Sequence, residues 1–304
     1  MSINILIDKI KEKNNPTVAG LDARPEYIPQ FILDKHADEK DPLKGLAKAM
    51  LEFNKGLIDA LHDVVPAVKP QSAYYELLGY HGVKTLKKTI DYAHKKGMYV
   101  IADVKRNDIG TTATAYAEAY LGNITVGNTV CTPFGADSAT INAYLGTDGI
   151  KPFVDVCREH QKSVFVLVKT SNPSSGEFQD KMMEGKPLYE RVCDQMNIWG
   201  ADTIGKYGYS EVGAVVGATY PEEQKAIRAL IPHAYFLVPG YGAQGATGAD
   251  IKNAFNADGL GAIVNSSRGI MCAWQKTGNI GIDYMVASRQ EAIKMRDDIV
   301  ANIK

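Results

Sequence analysis

Short apolar runs rich in β-branched residues recur along this chain, and between them the apolar positions fall three and four apart. The first pattern predicts strands and the second amphipathic helices. Strands are expected over 17–22, 64–71, 98–105, 136–142, 163–170, 212–219, 235–240 and 261–267. Helices are expected over 43–62, 82–96, 111–121, 187–206, 221–230 and 286–302. Strands alternating with helices imply parallel βα units. Their number and the chain length fit an α/β fold of a single eight-stranded parallel βα (TIM) barrel. An open doubly wound sheet is the alternative. No composition break marks a linker, so residues 1–304 are expected to form one domain. Three stretches exceed what the connections need: 23–42 after the first strand, 123–135 before the fourth and 171–186 after the fifth. A barrel keeps its active site on the face where strands end, so long loops there matter.

Charge narrows the function. The formal net charge is −1, with neither a basic run nor an acidic tail, which argues against a nucleic-acid or membrane-surface partner. No apolar stretch approaches the roughly 18 residues that span a bilayer. The opening MSINILIDKIKEKNN is amphipathic and lacks a signal-peptide core, so a cytoplasmic protein is expected. Cys131, Cys157, Cys193 and Cys272 lie far apart and read as free thiols. The six histidines form no HxH or HExxH pair, and no metal centre is expected.

The strand ends carry the chemistry. In a barrel, Asp22 closes the first strand, Lys69 lies near the end of the second, and Asp103 and Lys105 end the third. Residues two apart on a strand share a face, so Asp103 and Lys105 should point together into the mouth. A lysine between carboxylates stays protonated and can deliver a proton to a carbanion forming beside it. A structural ion-pair network is the plainer reading of the same residues. Late in the chain, VPGYGAQGATG (238–248) follows the seventh strand, with Gln244 among its glycines, and NSSRG (265–269) follows the eighth, with Arg268. Loops seven and eight of a barrel frequently bind phosphate through backbone N–H groups. A flexible turn and a surface arginine are the alternative there. Ser171, in TSNPSSG, either presents its hydroxyl and amide to a polar ring or forms a turn before Asn-Pro.

Together DVKRNDIGTTA (103–113), AGLD (19–22), VKPQSAYYE (68–76), TSNP (170–173), PGYGAQG (239–245) and SSRG (266–269) resemble the orotidine 5′-phosphate decarboxylase family, in its longer bacterial form. The resemblance covers most of the chain. It implies decarboxylation of orotidine 5′-phosphate to UMP and CO2 without a cofactor. Lys105 matches the lysine that protonates C6, and Asp103 the carboxylate facing the substrate's own. Lys69 and Asp22 match groups that hold the charge network and the ribose hydroxyls. Ser171 matches a contact to the pyrimidine amide edge; Gln244 and Arg268 match ligands of the 5′-phosphate. Asp108 and Thr112 match residues donated across a homodimer interface, which completes a Lys-Asp-Lys-Asp array. Two rivals share parts of this pattern. Metal-dependent sugar-phosphate decarboxylases and aldolases have the barrel and a DxKxxD motif, but with an acidic metal ligand where this chain has Lys69. A non-catalytic nucleotide-phosphate binder would be expected to have lost part of the array.

Overall fold

The computed structural model describes residues 1–242, 245–278 and 280–303. Eight parallel strands close into a barrel: β1 (Thr17–Leu21), β2 (Ala67–Pro70), β3 (Tyr99–Arg106), β4 (Ser138–Ile141), β5 (Ser163–Lys169), β6 (Val212–Val216), β7 (Phe236–Val238) and β8 (Ala262–Ser266). Each pairs with its sequence neighbours, and β1 pairs with both β2 and β8, so the sheet has no free edge. The alternation of apolar runs and helical stretches thus resolves as the barrel and not the open sheet.

Each strand sorts its side chains by parity. One set, including Ala19, Val68, Val100, Val164 and Val264, packs outward under the helices. The other, Val18, Ala67, Tyr99, Ile101, Phe165, Val215, Leu237 and Ile263, fills the barrel interior. The amphipathic start of the chain is a helix, Ser2–Lys13, whose Ile3, Leu6, Ile7 and Ile10 join that interior cluster and close the end of the barrel where strands begin. Ser2 and Tyr99 tie it down through a 2.7 Å hydroxyl contact. That leaves the opposite end open.

Boundaries differ from expectation where local chemistry decides. The helix expected over 187–206 stops at Trp199, capped by Gly200, which packs so closely that a Cβ there would lie 2.4 Å from Ser210 Oγ. A helix at Thr147–His160, between β4 and β5, has no counterpart in the sequence reading; Gly149 and Pro152 break its pattern. The stretch 123–135 contains a hairpin pairing Ile124–Val126 with Thr129–Cys131. A second small hairpin, Met182–Met183 with Lys186–Pro187, ends the stretch 171–186. No helix among the described residues is long and apolar enough to cross a membrane.

Candidate active site

The inward rows that begin apolar end polar. Continuing Ala67 by two residues gives Lys69, continuing Ile101 gives Asp103, and continuing Ile263 gives Asn265. All three are buried at the open end of the barrel. Lys105 arrives differently. Between Ala102↔Ala139 and Arg106↔Ile141 the β3–β4 ladder slips, Asp103, Val104 and Lys105 on β3 opposing only Thr140 on β4. Lys105 sits in this bulge with φ 46°, a left-handed conformation that costs a residue with a Cβ about 1 kcal/mol. Thr140 stabilises the distortion. Its hydroxyl accepts the N–H groups of Val104 and Lys105, both at 3.0 Å, and donates to Asp103 Oδ1 at 2.8 Å. One side chain therefore holds the bulge and orients the carboxylate.

The resulting array is tight. Asp103 Oδ2 receives Lys69 Nζ at 2.8 Å and Oδ1 receives Lys105 Nζ at 2.6 Å, while Lys69 lies 3.8 Å from Asp22 Oδ1. Burial pushes the Asp103 carboxyl up, but the two ammonium groups outweigh it and hold the acid well below the usual carboxylate range. Burial likewise pulls Lys69 down, and Asp103 and Asp22 more than reverse it, so Lys69 stays charged. Lys105 is 44% exposed, reaching out of the array into the cleft.

That cleft has two lobes sharing Lys69, Asp103 and Pro239. One, of about 450 Å3, runs from Lys105 to Thr170, Ser171 and Gln179 over an apolar floor of Leu167, Val215 and Leu237. A Cβ on Gly217 would lie 2.9 Å from Ser171 Cβ, so glycine at that position lets the serine close in. The other lobe, of about 400 Å3, runs from Asp22 to Tyr74, Asn265, Ser267 and Arg268. There a Cβ on Gly20 would fall 1.9 Å from Ser267 Oγ, which ties loop eight to the end of β1. Asp22 Oδ1 and Asn265 Oδ1 are buried and accept no hydrogen bond from a described residue, leaving two acceptors at this lobe.

The structure brings together Lys69, Asp103, Lys105 and Asp22, with Ser171 on one side and Arg268 on the other. Gln244 lies outside the described residues. Asp108 and Thr112 do not join the array within this chain: Asp108 Oδ1 accepts the Ile109 N–H at 2.8 Å, and Thr112 is exposed on the following helix. Thr140, Asn265 and Gln179 were missed from sequence. Thr140 and Asn265 carry the same signal as Lys69, an inward polar residue at the top of a strand. Among the described residues, no group of three or more His, Cys, Asp or Glu side chains is placed to hold a metal ion.

Comparison with known proteins adds a separate line. A model of the "Orotidine 5'-phosphate decarboxylase / HUMPS family" matches residues 44–279. The chain belongs to this family. Its matched span holds Lys69, Asp103, Lys105 and Arg268 and begins after Asp22. Relatives named orotidine 5′-phosphate decarboxylase include one from Caldicellulosiruptor bescii, 46% identical over 89% of each chain. Another, from Rhodopirellula baltica, is 44% identical over 86% of this chain and 84% of its own. The solved OMP decarboxylase of Leishmania donovani superposes with a TM-score of 0.74 at 29% identity, covering 99% of this chain and 98% of its own. The family model thus spans β2 to β8, and the named relatives cover most of the chain.

Proposed function

We propose that this chain is a carboxy-lyase that converts orotidine 5′-phosphate to UMP and CO2, the last step of de novo pyrimidine synthesis. The observation that carries the reading is the intact Lys69–Asp103–Lys105 array at the open end of a barrel belonging to the decarboxylase family. The pyrimidine occupies the lobe of Ser171, with its C6 carboxylate toward Asp103. The ribose lies over Asp22 and Lys69, where Asp22 and Asn265 hold carboxylate and amide oxygens that accept no hydrogen bond from a described residue. The phosphate reaches Arg268 and Gln244.

The chemistry needs no cofactor. The bond from C6 to the carboxylate breaks, CO2 leaves, and the electron pair stays on C6. Lys105 Nζ gives a proton to C6, yielding UMP, and the neutral amine regains a proton from solvent. The ammonium faces charge that grows only as the bond breaks, so it favours the transition state over the ground state. Asp103, held between two lysines, cannot turn away from the substrate carboxylate. Lys69 keeps Asp22 and Asp103 compatible at close range by placing a cation between them.

The catalytic unit is a homodimer in which Asp108 and Thr112 serve the partner's site. Asp108 accepting the Ile109 N–H, with no ion pair to the array within its own chain, supports this. The whole chain acts as one catalytic domain in the cytoplasm. Purified protein with orotidine 5′-phosphate and EDTA tests the activity: loss of the orotate chromophore with formation of UMP is expected. Activity that vanishes with EDTA and returns with Mg2+ would favour the metal-dependent rival; UMP binding without turnover would favour the silent binder. For the shared site, inactive Asp108→Ala and Lys105→Ala chains are mixed and allowed to exchange. One site in each mixed dimer carries neither change, so partial activity returns. No recovery after proven exchange contradicts the arrangement.

A further inference from the structure

Lys169 is a buried cation that the reaction as described does not use. It ends β5 with only 1% of its side chain exposed, and a slip in the β5–β6 ladder, from Leu167↔Val215 to Lys169↔Val216, breaks the parity that would point it into the cleft. Its ammonium lies over the rings of Tyr220, at 4.9 Å, and Tyr189, at 5.5 Å. Its ion-pair partner is Asp180, which comes from the extra stretch 171–186. A buried ammonium is costly unless paired, so the pair fixes where the chain returns after its excursion.

A second clasp lies one residue along. Gln179 Oε1 accepts the Thr170 N–H at 2.9 Å, and Gln179 Nε2 donates to Thr170 Oγ1 at 2.8 Å. Thr170 Oγ1 in turn donates to Asn172 Oδ1 at 2.6 Å. Beyond the neck, Tyr189 N–H donates to the Gln179 carbonyl at 3.0 Å. The closure is tight enough that a Cβ on Gly176 would lie 2.9 Å from Asp180 Oδ2. Residues 170–180 are therefore a loop cinched at its base by Lys169–Asp180 and Thr170–Gln179. The side chains it turns to the cleft are Thr170, Ser171, Asn172 and Gln179.

We propose that this double clasp is a positioning device for the pyrimidine: Asp180 and Gln179, on the extra loop, set the place of Thr170 and Ser171 and thereby the affinity for the base. The proposal rests on the placement of the pyrimidine in the Ser171 lobe given above. Neither residue touches the reacting carbon. The phosphate and ribose side, built on loops seven and eight and the end of β1, does not depend on the clasp.

The test separates the two halves of the ligand. UMP and ribose 5-phosphate are titrated by calorimetry into wild type, Asp180→Ala and Gln179→Ala, and KM and kcat for orotidine 5′-phosphate are measured alongside. Wild type is expected to bind UMP more tightly than ribose 5-phosphate. Asp180→Ala should weaken UMP and raise KM on the order of tenfold, with ribose 5-phosphate affinity within about twofold of wild type and kcat less affected than KM. Gln179→Ala, which keeps the buried ion pair, guards against a folding defect and should move the same quantities in the same direction. Asp180→Asn, which still offers an acceptor to Lys169, should recover part of the loss. Equal weakening of both ligands would assign the clasp a general structural role and overturn the proposal, as would unchanged UMP affinity in both alanine variants. Wild type binding the two ligands equally would overturn it together with the pyrimidine placement.

Discussion

The two ends of the barrel bury ionisable groups in opposite ways. At the end closed by the N-terminal helix, Glu211 is buried with no ion pair to a described side chain, and burial pushes its carboxyl up to about 7 against the pull of the N-terminal ammonium, the Ser2 N–H and Arg158. Arg228, at the same end, forms no ion pair with a carboxylate among the described residues and feels only Asp258 at longer range. It gives its N–H groups to the carbonyls of Ala234, Ala254 and Gly261, lies 3.5 Å over the Phe236 ring, and burial pulls it down to about 10. At the open end, Asp103 and Lys69 are as deeply buried but alternate in sign, and both move further into their charged forms. Burial alone therefore does not make a reactive site. Burial with alternating charge keeps full charges in a place where water cannot screen them, and those charges can act on a reacting carbon.

This contrast can be broken at either end. Lys69→Met removes the cation between Asp22 and Asp103. Turnover of orotidine 5′-phosphate should fall on the order of a thousandfold, equivalent to about 4 kcal/mol. Steady-state kinetics on folded protein checks this, and retained turnover would show that the alternation is dispensable. Arg228→Met leaves several buried carbonyls at the closed end without donors. It should lower stability by about 3 kcal/mol in urea unfolding while leaving kcat near wild type; an equal loss of kcat would show that the two ends are not separable. Thr140→Val keeps the shape but removes the hydroxyl that supports the bulge and aims Asp103. It should lower kcat/KM by about tenfold to a hundredfold, roughly 2 kcal/mol, with only a modest change in Tm.

Glu211→Gln gives the smallest effect, seen only through pH. With its folded pKa raised to about 7 above an unfolded value of about 4.5, the folded state binds the extra proton between those pH values. Wild type should therefore lose stability as pH rises through that window. The variant should lack this slope and gain on the order of 1 kcal/mol at pH 8, measured by denaturant unfolding across pH. Asp103 has the opposite sign: its depressed acid stabilises the fold above the unfolded pKa of about 4 and loses that contribution as pH falls below it.

How much of this was legible in the chain depends on the range of the interactions. Apolar runs marked all eight strands, because a parallel barrel strand buried on both faces writes its position in its own residues. Position at the strand ends carried Asp103 and Lys69 to the mouth for the same reason. Lys105 reached it by another route: sharing a face with Asp103 presumes a regular strand, whereas the structure uses a bulge, a left-handed residue and the Thr140 hydroxyl from β4. No pattern within residues 101–113 reveals that support. The clasp of Lys169 with Asp180 was equally hidden, since parity alone would have turned Lys169 into the cleft. The hairpin at 124–131 lay inside a stretch read as loop, because two strands of three residues leave too short an alternation to see.

The most direct test of the central claim is Lys105→Ala, with orotidine 5′-phosphate turnover and UMP affinity measured on the same folded preparation. Turnover should fall on the order of a thousandfold or more, with UMP bound within about tenfold of wild type, because the ammonium acts on charge that appears only as CO2 departs. Turnover near that of wild type would contradict the proton-donor role and with it the reading of the charge array as the seat of the reaction.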